Sequence, residues 1–155
     1  MRKILIVQGP NLNLLGNRER QYYGSASLDE VHAELRERGG QEGLEVVAFQ
    51  SNHEGDIVDT IQGAPGNGFE AIIINPAAYT HTSVAIRDAL TAVGLPYFEV
   101  HISNIQSRED FRRRSLVSEG ASGIVSGFGP FGYTLALLGA AQILDKIHPT
   151  GGEDC

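Results

Sequence analysis

The chain has 155 residues, of which 41% are apolar, and its formal net charge is −7. This length and composition predict one packed domain, and the acidic charge disfavours a nucleic-acid partner because phosphate backbones are repelled. The only cysteine, Cys155, excludes an internal disulfide, and no apolar run approaches the roughly 18 residues of a membrane span, so we expect a cytoplasmic protein with no membrane partner.

Five short apolar runs along the chain predict β-strands. They are residues 3–8, 44–49, 71–74, 96–100 and 123–127. The first and third runs are continuously apolar rather than alternating. This pattern is typical of strands that are covered on both faces, as in a parallel sheet.

Segments between and after these strands have helical periodicity. Ser27 and Ser51 each stand three residues before a glutamate, which is the capping-box pattern of a helix start. Thr82 or Ser83 can cap a third helix. The last helix is predicted over about residues 132–147, and because it is apolar nearly all round we expect the sheet and a second subunit to bury it.

Strands that alternate with helices predict an α/β protein with an open, doubly wound, five-stranded parallel sheet. We expect the flavodoxin-like strand order 2-1-3-4-5, because five strand-helix units suit it. One domain should span residues 1–148, and residues 149–155 should form a flexible tail.

Polar side chains follow four of the five predicted strands. In doubly wound sheets, ligands bind outside the carboxyl ends of the strands. The residues at these ends include Asn11, Asn13, Asn52, His53, Asn75, His81, His101, Ser103 and Asn104. Turns and helix caps also favour asparagine and serine, but three histidines beside several asparagines indicate a functional site. We interpret the other two histidines, His32 and His148, as surface residues.

The connection over residues 9–25 is longer than the usual linker of about 2–6 residues after a strand. It carries Arg18 and Tyr23, and Gly16 and Gly24 are candidate hinges. A long connection at this place favours a lid or binding loop over an ordinary surface excursion.

The sequence lacks the glycine-rich dinucleotide motif, the Walker loop and the nucleophile elbow. Amides and hydroxyls accompany the histidines, so we expect neither a catalytic metal nor another cofactor. The chemistry that these residues can still perform is proton transfer. Tyr23 can act as a base if Arg18 favours its tyrosinate form. His101 can act as an acid if Glu99 holds its tautomer, and an asparagine can polarise a carbonyl. This set suits elimination of water beside a carbonyl.

Four blocks, over residues 9–16, 50–55, 75–83 and 99–105, resemble the signatures of type II 3-dehydroquinate dehydratases. The similarity extends over about residues 3–144. The resemblance implies dehydration of 3-dehydroquinate to 3-dehydroshikimate by anti elimination through an enolate, without a metal or a Schiff base, in the shikimate or quinate pathway. It also implies a homo-dodecamer built as a tetramer of trimers.

The resemblance further implies roles for individual residues. Tyr23 would take the proton from C2, and Arg18 would activate it. Asn11 would hold the water that stabilises the enolate, and His101, oriented by Glu99, would protonate the leaving hydroxyl. The substrate would be bound by Asn75, His81, Arg112, the backbone amides of Ile102 and Ser103, and Asp88 of a neighbouring subunit.

Four residues depart from the family pattern. Arg20 stands where proline is common, and Tyr22 stands where an aliphatic residue is usual. Arg113 and Arg114 replace two histidines. Tyr23 matches the family base better than its neighbour, because it directly precedes a glycine.

Three other functions stay open on the residues alone. A binding or regulatory module would not need a tyrosine, an arginine and a histidine at one site. A different lyase or isomerase that acts on a polyhydroxylated cyclic acid could use the same tyrosine and arginine, and substrate profiling separates it. A hydrolase with His101 as its base lacks an obvious nucleophile or metal.

Overall fold

The computed structural model describes residues 1–17 and 25–149. Within these ranges, five parallel strands form one sheet in the order β2-β1-β3-β4-β5. The strands are β1 (Arg2–Gln8), β2 (Leu44–Gln50), β3 (Ala71–Asn75), β4 (Tyr97–His101) and β5 (Gly123–Ser126). The predicted class and strand order are confirmed, and each predicted strand end differs from the observed one by at most one residue.

Helices cover both faces of the sheet. In the described ranges they are α1 (Leu28–Gln41), α2 (Glu54–Gly63), α3 (Val84–Val93) and α4 (Phe131–Ile147). Alternate residues of β1 point to opposite faces, so Ile4 and Ile6 pack with α1 and α4, whereas Leu5 and Val7 pack with α2 and α3. The fold is therefore doubly wound, with one apolar core on each side of the sheet.

The strand register brings the carboxyl ends of β1 and β3 together. Gln8, the last residue of β1, pairs with Gln50 of β2 and Asn75 of β3. Directly beyond, Gly9 passes so close to the next chain segment that a Cβ would lie 2.3 Å from the carbonyl oxygen of Pro76. Only glycine permits this approach, and it places the loop after β1 against the loop after β3.

The helix starts agree with the sequence in two of three cases. Ser27 forms the predicted capping box, and the Ser83 hydroxyl accepts from a backbone N–H of α3. The prediction for Ser51 is wrong, because His53 is the N-cap of α2. The backbone N–H of Ser51 still donates to Gln8, which extends the strand ladder and leaves its hydroxyl to accept from the N–H of His53 at 2.9 Å.

His32 also differs from its prediction as a surface residue. Its position on α1 faces the sheet, its side chain is buried, and its Nε2 lies 3.3 Å from Nε2 of Gln8. His148 is exposed, as expected. In the part of the chain that the structure describes, no helix is long and apolar enough to cross a membrane. The predicted flexible tail lies outside the described residues except for Pro149.

Candidate active site

A pocket opens where β1, β3 and β4 end. It is lined by Pro10, Asn11, Leu12, Asn75, Ala77, Ala78, His81, His101, Ile102, Ser103, Ile105, Arg108 and Arg112. These residues come from the loops after the three central strands, so the sheet order itself assembles them. The pocket lies at the switch of strand order, where doubly wound sheets bind their ligands.

Two residues at the pocket adopt the left-handed backbone region that most side chains avoid. Asn11 has φ 67° and Ala77 has φ 53°. Asparagine tolerates this region, but alanine in it costs about 1–2 kcal/mol. The Asn75 amide supports the turn at Ala77, because its Oδ1 accepts from the Ala77 N–H at 3.0 Å. Backbone strain of this kind is typical of functional sites.

Residues after β2 hold the pocket loop from outside. The Asn11 N–H donates to Oδ1 of Asn52 at 2.9 Å, and Nε2 of Gln50 donates to the same oxygen at 3.1 Å. The Tyr79 hydroxyl donates to the Asn52 carbonyl at 2.7 Å, which ties this loop to the one after β3. His53 is exposed and does not line the pocket, so only two of the three histidines at strand ends come together.

Glu99 and His101 form a buried pair on β4. Nε2 of His101 lies 3.2 Å from Oε2 of Glu99, without the direction of a linear hydrogen bond, and the two groups form an ion pair when the imidazole is protonated. The Ser118 hydroxyl lies 2.6 Å and 3.0 Å from the two carboxylate oxygens, and the Ser115 hydroxyl donates to Oε1. Glu99 is two residues back on the same strand face, so it supports the imidazole from behind rather than lining the pocket itself.

The environment of Glu99 favours its charged form. Burial by itself would raise the pKa of this carboxyl group, but His101 and the hydroxyls of Ser115 and Ser118 together bring the pKa below its ordinary value. An ionised carboxylate at this position fixes the imidazole and stabilises a positive charge on it.

The hydrogen bond to His81 determines which of its nitrogens carries the proton. Nδ1 lies 2.8 Å from the carbonyl oxygen of Arg114, and a carbonyl can only accept, so the proton is on Nδ1. Burial lowers the pKa of His81 below its ordinary value, although the bond to the Arg114 carbonyl and the charge of Glu99 oppose this, so the neutral ring is favoured. Its Nε2 is left as an acceptor for a hydroxyl in the pocket.

Backbone amides after β4 face the pocket side of the sheet. The carbonyls of His101 and Ile102 accept from the N–H groups of Gly127 and Gly129, which follow β5. In a trans peptide the N–H points opposite to the C=O, so the N–H groups of Ile102 and Ser103 point away from β5. This direction leads toward β3 and the pocket. Two adjacent N–H groups of this orientation are suited to a carboxylate.

Two guanidinium groups add positive charge. Arg112 donates from Nε to Glu109 at 2.8 Å, and Nη1 of Arg108 lies 3.4 Å from the Ser103 hydroxyl. The Arg108 side chain is 7% exposed, which places a largely buried cation in the pocket. Arg108 is a pocket residue that the sequence did not predict. Arg108 lies seven residues beyond His101, the last residue of β4, so the rule for strand ends does not reach it.

The structure brings most of the predicted site together. Asn11, Asn75, His81, His101, Ile102, Ser103 and Arg112 line one pocket, and Glu99 contacts it through His101. Asp88 is exposed on α3 and does not line the pocket of its own chain. Arg18 and Tyr23, with the departures at 20 and 22, lie outside the described residues. Among the residues described, no three His, Cys, Asp or Glu side chains are grouped to hold a metal ion.

Comparison with known proteins gives one consistent family. The family model for class II dehydroquinase matches residues 2–141. The 3-dehydroquinate dehydratase of Sulfurimonas denitrificans is 56% identical over 94% of this chain and 90% of the relative, and that of Wolinella succinogenes is 54% identical over 94% and 87%.

Solved structures agree with the sequence relatives. The type II dehydroquinase of Butyrivibrio crossotus superposes with a TM-score of 0.88 and 44% identity, over 91% of this chain and 97% of that one. The enzyme from Propionibacterium acnes gives 0.87 and 42%, over 92% and 97%. The chain, with its pocket at the ends of β1, β3 and β4, belongs to the class II dehydroquinase family, a family of hydro-lyases.

Proposed function

We propose that this chain dehydrates 3-dehydroquinate to 3-dehydroshikimate. The observation that carries the proposal is the buried Glu99–His101 pair, whose imidazole lines a pocket rich in hydrogen-bonding groups and arginines. An acid is needed there to make a hydroxyl leave as water. The names of the curated relatives supply the substrate.

The pocket contacts fit a polyhydroxylated cyclic acid. The N–H groups of Ile102 and Ser103 would bind the substrate carboxylate, and Arg108 and Arg112 provide complementary charge. Asn75 and the Nε2 acceptor of His81 would bind the ring hydroxyls. Asp88 would complete the site of a neighbouring subunit.

The elimination would run in two steps. Tyr23 takes the proton from C2, and the electron pair of the broken C–H bond forms the enolate of the adjacent carbonyl. Asn11 stabilises this enolate through a bound water. The enolate then collapses to a carbon–carbon double bond while the neighbouring C–O bond breaks. His101, as an imidazolium held by Glu99, gives its proton to the departing hydroxyl, which leaves as water, and the imidazole becomes neutral.

The described ends of the connection that carries Tyr23 support its place at the pocket. Gly16 has φ 92°, and a Cβ on it would lie 3.1 Å from the carbonyl oxygen of Ser25. The connection therefore leaves and returns at one point, next to Leu12 and Asn11 of the pocket wall. These described ends support the proposal that Tyr23, which lies between them in the sequence, acts on a substrate in this pocket.

The activity itself is tested with 3-dehydroquinate by following the ultraviolet absorbance of the conjugated enone product, once with protein treated with EDTA and once with protein incubated with borohydride in the presence of substrate and then freed of both. We expect the absorbance to rise. If folded protein gave no rise before any treatment, the proposed reaction would be excluded. If activity vanished with either reagent, the metal-free and imine-free mechanism would be excluded.

The base assignment is tested by Tyr23→Phe, with Tyr22→Phe as its matched control. Loss of the Tyr23 hydroxyl removes the proton acceptor, so we expect kcat to fall by at least ~10²-fold, the usual contribution of a positioned base. Arg18→Ala should cause a comparable loss, because the tyrosine would stay protonated. Tyr22→Phe should retain kcat, and the opposite result for the two tyrosines would move the assignment to Tyr22.

We further propose a homo-dodecamer, a tetramer of trimers, that acts in the cytoplasm in the shikimate or quinate pathway. Large exposed apolar side chains support association: Phe111 is 66% exposed, Phe128 62%, Phe131 56% and Ile124 54%. Light scattering should give about 200 kDa, which is twelve chains of 16.7 kDa. A monomer mass for the active enzyme would exclude the assembly.

A further inference from the structure

A network of hydrogen-bonded, buried polar residues lies beneath the pocket, between β3 and α1. It consists of Asn75, Tyr133, Gln8 and His32, which are 4%, 0%, 0% and 7% exposed. Of these four, Asn75 lines the pocket and the other three do not. Burying so many polar groups is costly unless they form hydrogen bonds, so their contacts define an ordered arrangement.

In this network, the donor and acceptor of each hydrogen bond follow from those of the bond before it. Oδ1 of Asn75 accepts from the Ala77 N–H, so the amide nitrogen is the group that faces the Tyr133 hydroxyl, at 2.9 Å. The same hydroxyl lies 2.7 Å from Oε1 of Gln8, which can only accept. The single phenolic proton therefore goes to Gln8, and the phenolic oxygen accepts from Asn75.

The contact between Gln8 and His32, at the other end of the network, agrees with these donor and acceptor roles. With Oε1 of Gln8 bound to Tyr133, its amide nitrogen lies 3.3 Å from Nε2 of His32, which must then be an acceptor. Burial lowers the pKa of His32 and raises the pKa of Tyr133. Both groups are thus neutral, as a phenolic donor and an imidazole acceptor must be.

We infer that Tyr133 is a positioning residue that fixes the orientation of the Asn75 amide in the pocket. One proton of the amide nitrogen is bound to Tyr133, so the second is available to donate to a substrate hydroxyl. His81 presents an acceptor through Nε2. The pocket then offers one donor and one acceptor in fixed positions, which suits an oxygen that both accepts and donates. The inference rests on the proposed function, because the hydroxyl belongs to the proposed substrate.

The test compares Tyr133→Phe with Thr134→Val in assays with 3-dehydroquinate. Phenylalanine keeps the ring and removes the acceptor of Asn75, so the amide is no longer held. We expect KM to rise about tenfold, the worth of one lost hydrogen bond, with kcat changed much less. Thr134→Val removes another buried hydroxyl of the same helix and should leave KM unchanged.

A second pair of variants shows whether Tyr133 acts through Asn75. In an Asn75→Ala background, Tyr133→Phe should raise KM no further, because there is no amide left to orient. A KM for Tyr133→Phe equal to that of active wild-type enzyme would overturn the inference and leave the proposed function intact. An additive rise in the double variant would also overturn it. A wild-type protein that does not turn over 3-dehydroquinate would overturn the proposed function, and this inference with it.

Discussion

At the scale of single residues, the serines that hydrogen-bond to Glu99 matter as much to the site as the residues that line the pocket. Glu99 is 1% exposed, and a buried carboxylate is stable only when hydrogen-bond donors or cations compensate for its lost hydration. Ser115, Ser118 and His101 supply that compensation. The charge on Glu99, and through it the proposed acid His101, thus depends on two serines that do not line the pocket.

Removal of one of these donors should change how activity depends on pH. In Ser118→Ala the pKa of Glu99 rises, because its charged form loses a donor, so activity on the acid side should be lost at a higher pH than in the wild type. At neutral pH we expect kcat to fall about tenfold, in line with a hydrogen bond to a charged group. The measurement is kcat over about five pH units, from roughly pH 4 to pH 9.

Ser122→Ala provides the control for this experiment, since Ser122 is exposed and its backbone, not its side chain, contacts Tyr97. Its pH profile should match the wild type. If Ser118→Ala also matched, the hydroxyl would not support the charge on Glu99.

Most polar pocket residues and Glu99 were predictable from the sequence, but the serines that support Glu99 were not, because they lie far from it along the chain. Asn75 and His101 follow apolar strands directly, so the rule for strand ends located them. Ser118 lies 19 residues from Glu99, and no local pattern links the two. His32 was placed on the surface because its polar partner, Gln8, lies on another element.

At the scale of elements, the strands were predictable because buried parallel strands are continuously apolar, as in Ile4–Val7 of β1. The starts of the helices were less predictable than the strands. The Ser51 pattern had a capping-box sequence, but the N–H of Ser51 is committed to the strand ladder. Tertiary hydrogen bonding therefore overrode the local preference.

The contact between the loops after β1 and β3 makes a prediction at this scale. Gly9→Ala would place a methyl group against the Pro76 carbonyl, a backbone atom that cannot move aside cheaply. We expect the variant to be destabilised by about 1–3 kcal/mol, as in overpacked cores, and to lose activity as Asn11 shifts.

Gly40→Ala is the matched control, because Gly40 lies in α1 with open space around its Cβ position. Replacement there should stabilise by about 0.5–1 kcal/mol, since glycine is unfavourable inside a helix. Thermal unfolding of both variants checks the pair. Equal transition temperatures would contradict the close approach at Gly9.

At the scale of the whole molecule, buried titratable groups predict a loss of stability in acid. The pKa of His32 and the pKa of His81 are both lowered from 6.5, mainly by burial. Below 6.5 the unfolded chain binds protons that the folded chain does not, so stability falls as pH falls. Glu99, with its pKa below 4.5, extends the same trend at lower pH.

Thermal unfolding across this range measures the effect. The transition temperature should fall as pH drops below 6.5 and fall further below 4.5. In His32→Asn, the transition temperature should depend less on pH just below 6.5, whatever the effect of the substitution on stability at neutral pH. A wild-type transition temperature that rose on acidification would contradict the assignment of neutral, buried histidines.

The proposed reaction removes the C2 proton and the hydroxyl group from opposite faces of the substrate ring, and isotopic labelling tests this stereochemistry. The measurement uses 3-dehydroquinate with deuterium at one or the other C2 position and determines by mass spectrometry which label the product keeps. A base and an acid on opposite faces predict 3-dehydroshikimate that has lost the C2 hydrogen trans to the departing hydroxyl. Product that keeps this hydrogen and has lost the cis one would contradict the account.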